Sequence, residues 1–599
     1  METTLVGKFV GKHPEIATTY KWAFVRWVIK YNLSIFVLPK GHESLERLAL
    51  GGLLANEVVY LRTKYNMEIV AIVNLKNIVS GTTNLATLGG AFLADAYIGR
   101  FLALLIGAFS NLIGTILWTL TDRIPRVRPP KCSEAQAKLR ECISASKAQM
   151  FFLVMAMVFM SIGSATIRPA ATPFGADQFE RGGTKTVEQK KDLQSFFNWY
   201  FFSMSLVSVV ASTVIVYIQS NVSWTLGFGI CAILMLISLV GFLIGAPLFY
   251  RETPQGSPYT GIAQVIMASI KKRKLSLPSD LTLLYYGQNS PKVSITSRFR
   301  FLDKAAILTE GDMQANGTVA RPWNLSPIHR IEDLKILIAI LPMFSVKICN
   351  SITSQQSTYA VFQALTMNRN MGSSSIKVPA ASIHVVSSLV VIFWLPLYDR
   401  VLVPLTRRLT KQERGITPLQ RMGIGYVFSL ISMLVAALVE VKRRNVAKSH
   451  GLTDDPSAIA PISVFWLVPQ FFIHGLANCF HVVGSLDFFY TEFQPNLRST
   501  AIALSSIMNA VADYLSVFMV TLIHRLTGGN GKPNWLDSNI NRGRLDYFYW
   551  LLLVMESINA LYFMLLAYFY KYRENFVVDG GETSDVSDGQ EMVSKKIEI

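Results

Sequence analysis

The chain has 599 residues, of which 51% are hydrophobic and only 16% charged, with a net charge of +18. Soluble domains hold about 25% charged residues, so this composition, with a mean hydropathy of +0.35, excludes an ordinary water-soluble enzyme. The charge alone would suit a nucleic-acid binder, but the basic residues sit in loops between long apolar runs, where they hold membrane topology, so no nucleic-acid partner is expected.

A hydrocarbon core about 30 Å thick needs about 20 apolar residues per helix. Runs of that kind predict twelve helical spans, at about 35–61, 69–94, 101–120, 149–170, 197–219, 225–249, 335–364, 378–402, 422–440, 461–488, 500–523 and 547–570. The short alternating segments of a membrane β-barrel do not dominate anywhere. Lys8, Lys12, Lys21, Arg26 and Lys30 precede the first run without the apolar core and cleavage site of a signal peptide. Residues 1–34 therefore read as a cytosolic N-terminus, 35–249 as an N-terminal six-helix bundle, 250–334 as a polar cytosolic central loop, 335–570 as a C-terminal six-helix bundle, and 571–599 as a disordered cytosolic tail. Within the loop, the stretch IAQVIMASIKK is amphipathic and suits a helix lying on a membrane surface.

An even span number puts both termini on one side, and the basic central loop places that side in the cytosol. Two other basic clusters oppose this rule: Arg123, Arg126, Arg128 and Lys131 after the third span, and Lys442, Arg443, Arg444 and Lys448 after the ninth, both assigned to the outer face.

Charges inside spans are costly and mark functional candidates. The first span carries Glu43, Glu46 and Arg47, at offsets that share one helical face. Two carboxylates beside one guanidinium hold or release a proton as their surroundings change; the plain alternative is a neutralised structural pair. Arg168 lies in the fourth span, Lys347 in the seventh and Asp513 in the eleventh. Asp487 and Glu492, near a membrane surface, suit structure or gating. His474, Asn478 and His481 share a face of the tenth span and either line a cavity or pack by hydrogen bonding. Cys231, Cys349 and Cys479 fall within spans as packing residues, whereas Cys132 and Cys142 share one loop and can form a disulfide if that loop faces outward. No metal-ligand set or nucleophile triad is apparent, so neither an enzyme nor a cofactor is expected. The sequons at Asn221, Asn316 and Asn324 are discounted as glycosylation sites.

Two six-helix halves around a long linker is the layout of the major facilitator superfamily. The motifs Glu43-x-x-Glu46-Arg47, GAFLADAYIGR (90–100), FGADQF (174–179), FNWY (197–200) and GRLDYF (543–548) resemble the plant nitrate and peptide transporter family, a branch of the proton-coupled oligopeptide transporters. Arg168-Pro169, VFQALTMNR (361–369) and YDRVLVP (398–404) are most similar to its nitrate and glucoside-conjugate transporters. The resemblance implies proton coupling at Glu43, Glu46 and Arg47, a substrate-facing base at Arg168, and a cytosolic gate at Asp95, Gly99 and Arg100. It also implies a substrate cavity that includes Lys347, Thr353, His474, Asn478, His481 and Asp513. Three positions depart from the family pattern: Asn478 stands where many relatives carry a Glu, Thr353 where some nitrate carriers have a His, and Ser205 and Val207 where Asn and Gly are usual. Peptide transport and histidine-dependent nitrate binding are both weakened by these departures.

The leading expectation is a proton-coupled secondary transporter of a small anionic or glycosylated solute, with small solutes, protons and membrane lipid as its partners and the plasma membrane preferred to the tonoplast. One alternative is an uncoupled facilitator or exporter of the same solutes. Another, of a different class, is a transport-dead sensor or docking protein, which predicts a collapsed or plugged cavity. Oligomeric state is not legible in the sequence.

Overall fold

The computed structural model describes residues 33–133, 136, 141–178, 203–251, 258–278, 280, 283–287, 295–314, 319–372, 377–411, 415–492, 498–528 and 533–570. Residues 1–32 of the expected N-terminal segment 1–34, Phe179, the FNWY motif, the Asn316 sequon and the tail 571–599 lie outside them. Within the described residues, ten apolar helical stretches are long enough to cross a membrane, and one of these, Ile69–Arg123, contains two helices, Ile69–Leu93 and Gly99–Arg123. Adding Leu33–Ala55 at the start gives the twelve spans of a major facilitator fold.

The boundaries differ from expectation where local chemistry intervenes. The first span stops at Ala55, and a separate helix, Glu57–Lys64, follows it. The fourth runs on to Asp177 through Pro169 and Pro173. The seventh begins at Ile328, bends at Ser354 and continues as Gln355–Leu365. The tenth starts at Val468, because Ala460–Ser463 instead pairs in parallel with Met367–Asn368. The ninth extends from Pro418 to Ser449, so Arg443 and Arg444 are helical residues rather than loop residues. Arg443 is fully buried and makes two 2.8 Å bonds to Glu440, while Arg444 donates to Gly543 O at 2.9 Å. Arg128 is paired with Asp122. These arginines are neutralised inside the fold and do not weigh as solvated charges in the topology rule.

The chain divides into two compact units. The first holds the spans, except for residues 328–339 at the start of the seventh. In its N-terminal half, spans three and four pack along their length, span two lies against four, and span six against one and three. In its C-terminal half, span nine packs on ten and twelve, and eight on ten. Tyr60, Trp118, Trp224 and Phe228 form an aromatic cluster near the end of the first half, with Tyr60 Oη bonded to Thr121 Oγ1 at 2.7 Å. In the second half, Glu440 also accepts from Gln363 at 2.6 Å, and Tyr549 donates to Gln363 at 2.8 Å.

The second unit spans Tyr259–Ala339. It corrects the picture of a plain polar loop, because it has an apolar core of its own, including Val265, Ala268, Leu302, Ala305 and Ile331. The expected amphipathic helix is present at Pro258–Lys271. Two buried lysines are paired in the unit: Lys272 with Asp312, and Lys335 with both Asp303 and Glu332, each at 2.7 Å. Burial pushes the Asp312 carboxyl up, but bonds from Lys272 and Thr309 outweigh it and hold the group below the usual carboxylate range.

The close seam between spans three and four depends on small residues, as helix pairing in lipid generally does. A Cβ at Gly163 would collide with Asn111 Oδ1. Asn111 is itself buried and donates to Glu46. Pro169 cannot donate to Ala165 O, and Gly90 of span two packs directly on that carbonyl. Gly163→Ala should therefore destabilise the protein by about 1–3 kcal/mol through overpacking. Gly229→Ala, where the added carbon meets nothing within 4 Å, should be neutral or slightly stabilising. Thermal unfolding of both variants in detergent checks the contrast, and equal melting of the two would contradict it.

Candidate functional site

Three groups of polar side chains face the middle of the membrane unit. The first belongs to the N-terminal half. Glu43 and Glu46 are buried, whereas the Arg47 side chain is 45% exposed. Arg47 binds Glu43 Oε1 through Nη2 at 3.0 Å and through Nε at 3.2 Å. Glu46, one helical turn on, takes no part in that pair and accepts from Asn111 Nδ2 at 2.9 Å. Arg168 is exposed, stands within electrostatic reach of Glu46 and Arg47, and makes no hydrogen bond or ion pair with any described residue. The two carboxylates are thus differentiated: Glu43 has a fixed guanidinium partner, and Glu46 has an amide and a distant cation.

The second group belongs to the C-terminal half. Asn350, Ser351, Thr353 and Ser354 of span seven, Ser429 and Met433 of span nine, and His474 and Asn478 of span ten line a cavity of about 120 Å³. The lining is almost wholly uncharged amide, hydroxyl and imidazole. Of the residues expected to form the cavity, Thr353, His474 and Asn478 are brought together here, and Lys347, His481, Asp513 and Arg168 are not among the lining residues. Lys347 donates to Ser505 Oγ at 3.1 Å rather than reaching toward a membrane surface. His481 is packed under Gly425 and against the Tyr426 ring, with ring centroids 4.7 Å apart.

The third group is the seam between the halves. Asp513 accepts from Ser80 at 2.8 Å and from Asn84 at 3.1 Å, both on span two. It is therefore not a partner for Arg168. Lys76 donates to Thr358 at 3.0 Å and lies within electrostatic reach of Glu57 and Asp513. Asn74 bonds Thr521 at 3.0 Å, and Asn77 exchanges bonds with Gln355 at 3.0 and 3.3 Å. These bonds tie the halves together along Asn74–Asn84.

Beyond the far end of span two, Asp95 lies in a π-helical turn, Ala94–Ile98, and pairs at 3.4 Å with Arg100 in the first turn of span three. The turn closes at Gly99, whose φ of +78° suits only a residue without a Cβ. In the remaining loop, Cys132 and Cys142 are disulfide-bonded with Cα atoms 5.3 Å apart. Glu492 accepts from Tyr570 Oη at 2.8 Å.

Sequence reasoning passed over Glu57, Lys76, Glu440 and Glu556. The signal was available, since each is an ionisable residue in or beside an apolar run, the criterion that singled out Lys347.

Two bundles of six helices, joined across a hydrogen-bonded seam, with a polar cavity in the C-terminal one, are the architecture of a secondary transporter of the major facilitator type. A family model described as POT family matches residues 101–536. The chain is 42% identical over 564 residues to "Protein NRT1/ PTR FAMILY 2.13" of Arabidopsis thaliana, covering 93% of this chain and 90% of that one. It is 40% identical over 541 residues to "Protein NRT1/ PTR FAMILY 3.1" of the same plant, covering 89% of each. Among solved structures, an auto-inhibited POT family peptide transporter superposes with a TM-score of 0.65 at 16% identity, covering 90% of this chain and 98% of that one. The chain belongs to the POT family, and is an integral membrane transporter of small solutes rather than an enzyme.

Hydrogen bonds to charged groups contribute about 1.5–3 kcal/mol each, so Asp513→Ala should loosen the seam. In an Asn77→Cys background, thiol labelling should rise by about tenfold for each 1.4 kcal/mol removed. An unchanged labelling rate would show that the Asp513 bonds do not hold the halves together.

Proposed function

We propose that the protein is a proton-coupled secondary transporter of a small anionic or glycosylated solute, with nitrate or a glucoside conjugate as the leading classes. The Asp95 turn and the central unit are placed in the cytosol, and the plasma membrane is preferred to the tonoplast. The observation that carries the reading is the state of Glu46: buried, outside the Glu43–Arg47 pair, and within electrostatic reach of an Arg168 that no described side chain neutralises.

The proposed mechanism follows from which group can change charge. Arginine stays protonated at any ordinary pH, so Arg168 remains a cation throughout the cycle. A carboxyl can take up a proton. While Glu46 is ionised it offsets the charge of Arg168. When Glu46 is protonated, the exposed guanidinium of Arg168 is left without that compensation and is open to an anion that reaches it. An anionic solute restores the balance, and the planar guanidinium suits the oxygens of nitrate, a sulfate ester or a carboxylate. Proton and solute thereby favour each other's binding. Rocking of the halves, with the Asn74–Asn84 seam opening and closing, carries both across. The uncharged polar pocket around Thr353, Ser429, His474 and Asn478 suits the hydroxyls of a conjugated sugar. With Asn478 and Thr353 in place of an acid and an imidazole, neither a peptide ammonium nor a histidine-bound nitrate is favoured.

Uptake of nitrate and of a panel of glucosides, measured at two external pH values in cells expressing the chain, tests the class of solute and the coupling together. Wild-type uptake should rise as external pH falls. In Glu46→Gln that pH dependence should be lost while solute exchange survives. A variant with unchanged pH dependence would favour the uncoupled facilitator.

Arg168 gives an independent test. Arg168→Ala should abolish uptake of the anionic solute, whereas Lys347→Ala, which loses only a bond to Ser505, should lower it less. Normal transport by Arg168→Ala would end this mechanism.

A further inference from the structure

Glu556 of span twelve is fully buried, and the mechanism above does not use it. Its Oε2 lies 3.2 Å from Thr353 Oγ1 and 3.5 Å from Asn559 Nδ2, and the Ser429 side chain is a further polar neighbour of the carboxyl. Its Oε1 is buried with no hydrogen-bond partner among the described residues. The titratable groups facing it are the Tyr426 hydroxyl on span nine and the Cys349 thiol on span seven. No ion pair joins it to a described cation.

The hydrogen-bond arithmetic at Thr353 is informative. This hydroxyl has one proton and two acceptors in reach, Asn350 O at 2.9 Å and Glu556 Oε2 at 3.2 Å. The single proton serves one acceptor at a time: given to Glu556 Oε2 it bonds an ionised carboxylate, and given to Asn350 O it leaves Thr353 Oγ1 as an acceptor for a protonated Glu556. An ionised carboxylate here would have a buried, unpartnered oxygen and no counter-ion, which is the costly arrangement. Thr353 and Ser429 both line the cavity, but Glu556 does not.

We propose that Glu556 is protonated in the resting transporter, and that its protonation state sets the hydrogen-bonding polarity of the solute cavity through Thr353 and Ser429. Protonated, it donates to Thr353 and leaves the Ser429 O–H free to donate into the cavity, which then accepts oxygen-rich solutes. Ionised, it draws both hydroxyl protons to itself and leaves the cavity wall with acceptors at these two positions. Glu556 is thus a positioning residue that selects for solute acceptors, at a place in the fold remote from Glu46 and in a half where Asn478 supplies no acid. The inference rests on the cavity being the solute site, but its first readout does not depend on any solute.

That readout is infrared difference spectroscopy of the protein in lipid vesicles at neutral pH. The carbonyl stretch of a protonated carboxyl should be present in wild type, absent in Glu556→Gln, and shifted in Thr353→Val. A spectrum unaltered by Glu556→Gln, or a band that Thr353→Val does not move, would overturn the proposal; wild type and Thr353→Val decide it even if Glu556→Gln folds poorly. The second readout is uptake of phenyl β-glucoside and of nitrate. Measured as solute exchange in a Glu46→Gln background, which removes the proton coupling assigned to Glu46, KM should rise with pH over the range in which the band disappears, and adding Glu556→Gln should abolish that rise. The same pH-dependent KM in the double variant would refute the coupling to the cavity. If wild type takes up neither probe, the proposed solute class fails, and the infrared band still decides the protonation of Glu556.

Discussion

A charge placed inside this fold has to be matched, because the medium around it cannot solvate it. Most of the ionisable residues in the spans answer that demand in a visible way. Glu43 is matched by Arg47, Glu440 by Arg443 and Asp122 by Arg128. Asp513 is matched by neutral donors from the opposite half. Three residues are exceptions. Arg168 has no described bonding partner, Glu46 has a single amide donor, and Glu556 has one oxygen without any donor. Matched charges brace helices, and unmatched ones are where a proton or a solute changes the energy of the molecule.

The two halves meet this constraint differently. The N-terminal half uses formal charge: two acids and two guanidiniums around spans one and four. The C-terminal half has a pocket of hydroxyls, amides and imidazole, backed by an acid one layer behind it. A solute with an anionic end and a hydroxyl-rich end would be complementary to both. The seam along Asn74–Asn84 is built from amides and hydroxyls around Lys76 and Asp513, and such bonds exchange readily with water when the halves part. A seam of interdigitated apolar side chains would resist that change.

The central unit shows a related economy of charge. Lys272, Lys335 and their acidic partners lie inside it, so part of what reads along the chain as a strongly basic loop is internal structure. Arg443 and Arg444 correct the reading of the ninth-to-tenth connection in the same way. Counting basic residues along the chain overstates the charge that faces water.

The sequence by itself determined the architecture. Apolar run length follows directly from bilayer thickness, so twelve spans and their division at the central segment were legible without coordinates. The motif at Glu43, Glu46 and Arg47 was legible too, because helical periodicity alone puts its members on one face. What only the tertiary structure decided is which charges are satisfied. Lys347, His481 and Asp513 read in the sequence as cavity residues beside Thr353, His474 and Asn478, yet they are engaged elsewhere: by Ser505, by the Gly425 backbone with Tyr426, and by Ser80 with Asn84. Glu556 shows the reverse. Its position in the chain resembles that of any acid in an apolar run, and its significance comes from Thr353 and Ser429, cavity-lining residues of spans seven and nine that stand beside it. The physical reason is common to both cases. A span's length depends on its own residues, whereas the state of a buried charge depends on atoms contributed by other helices.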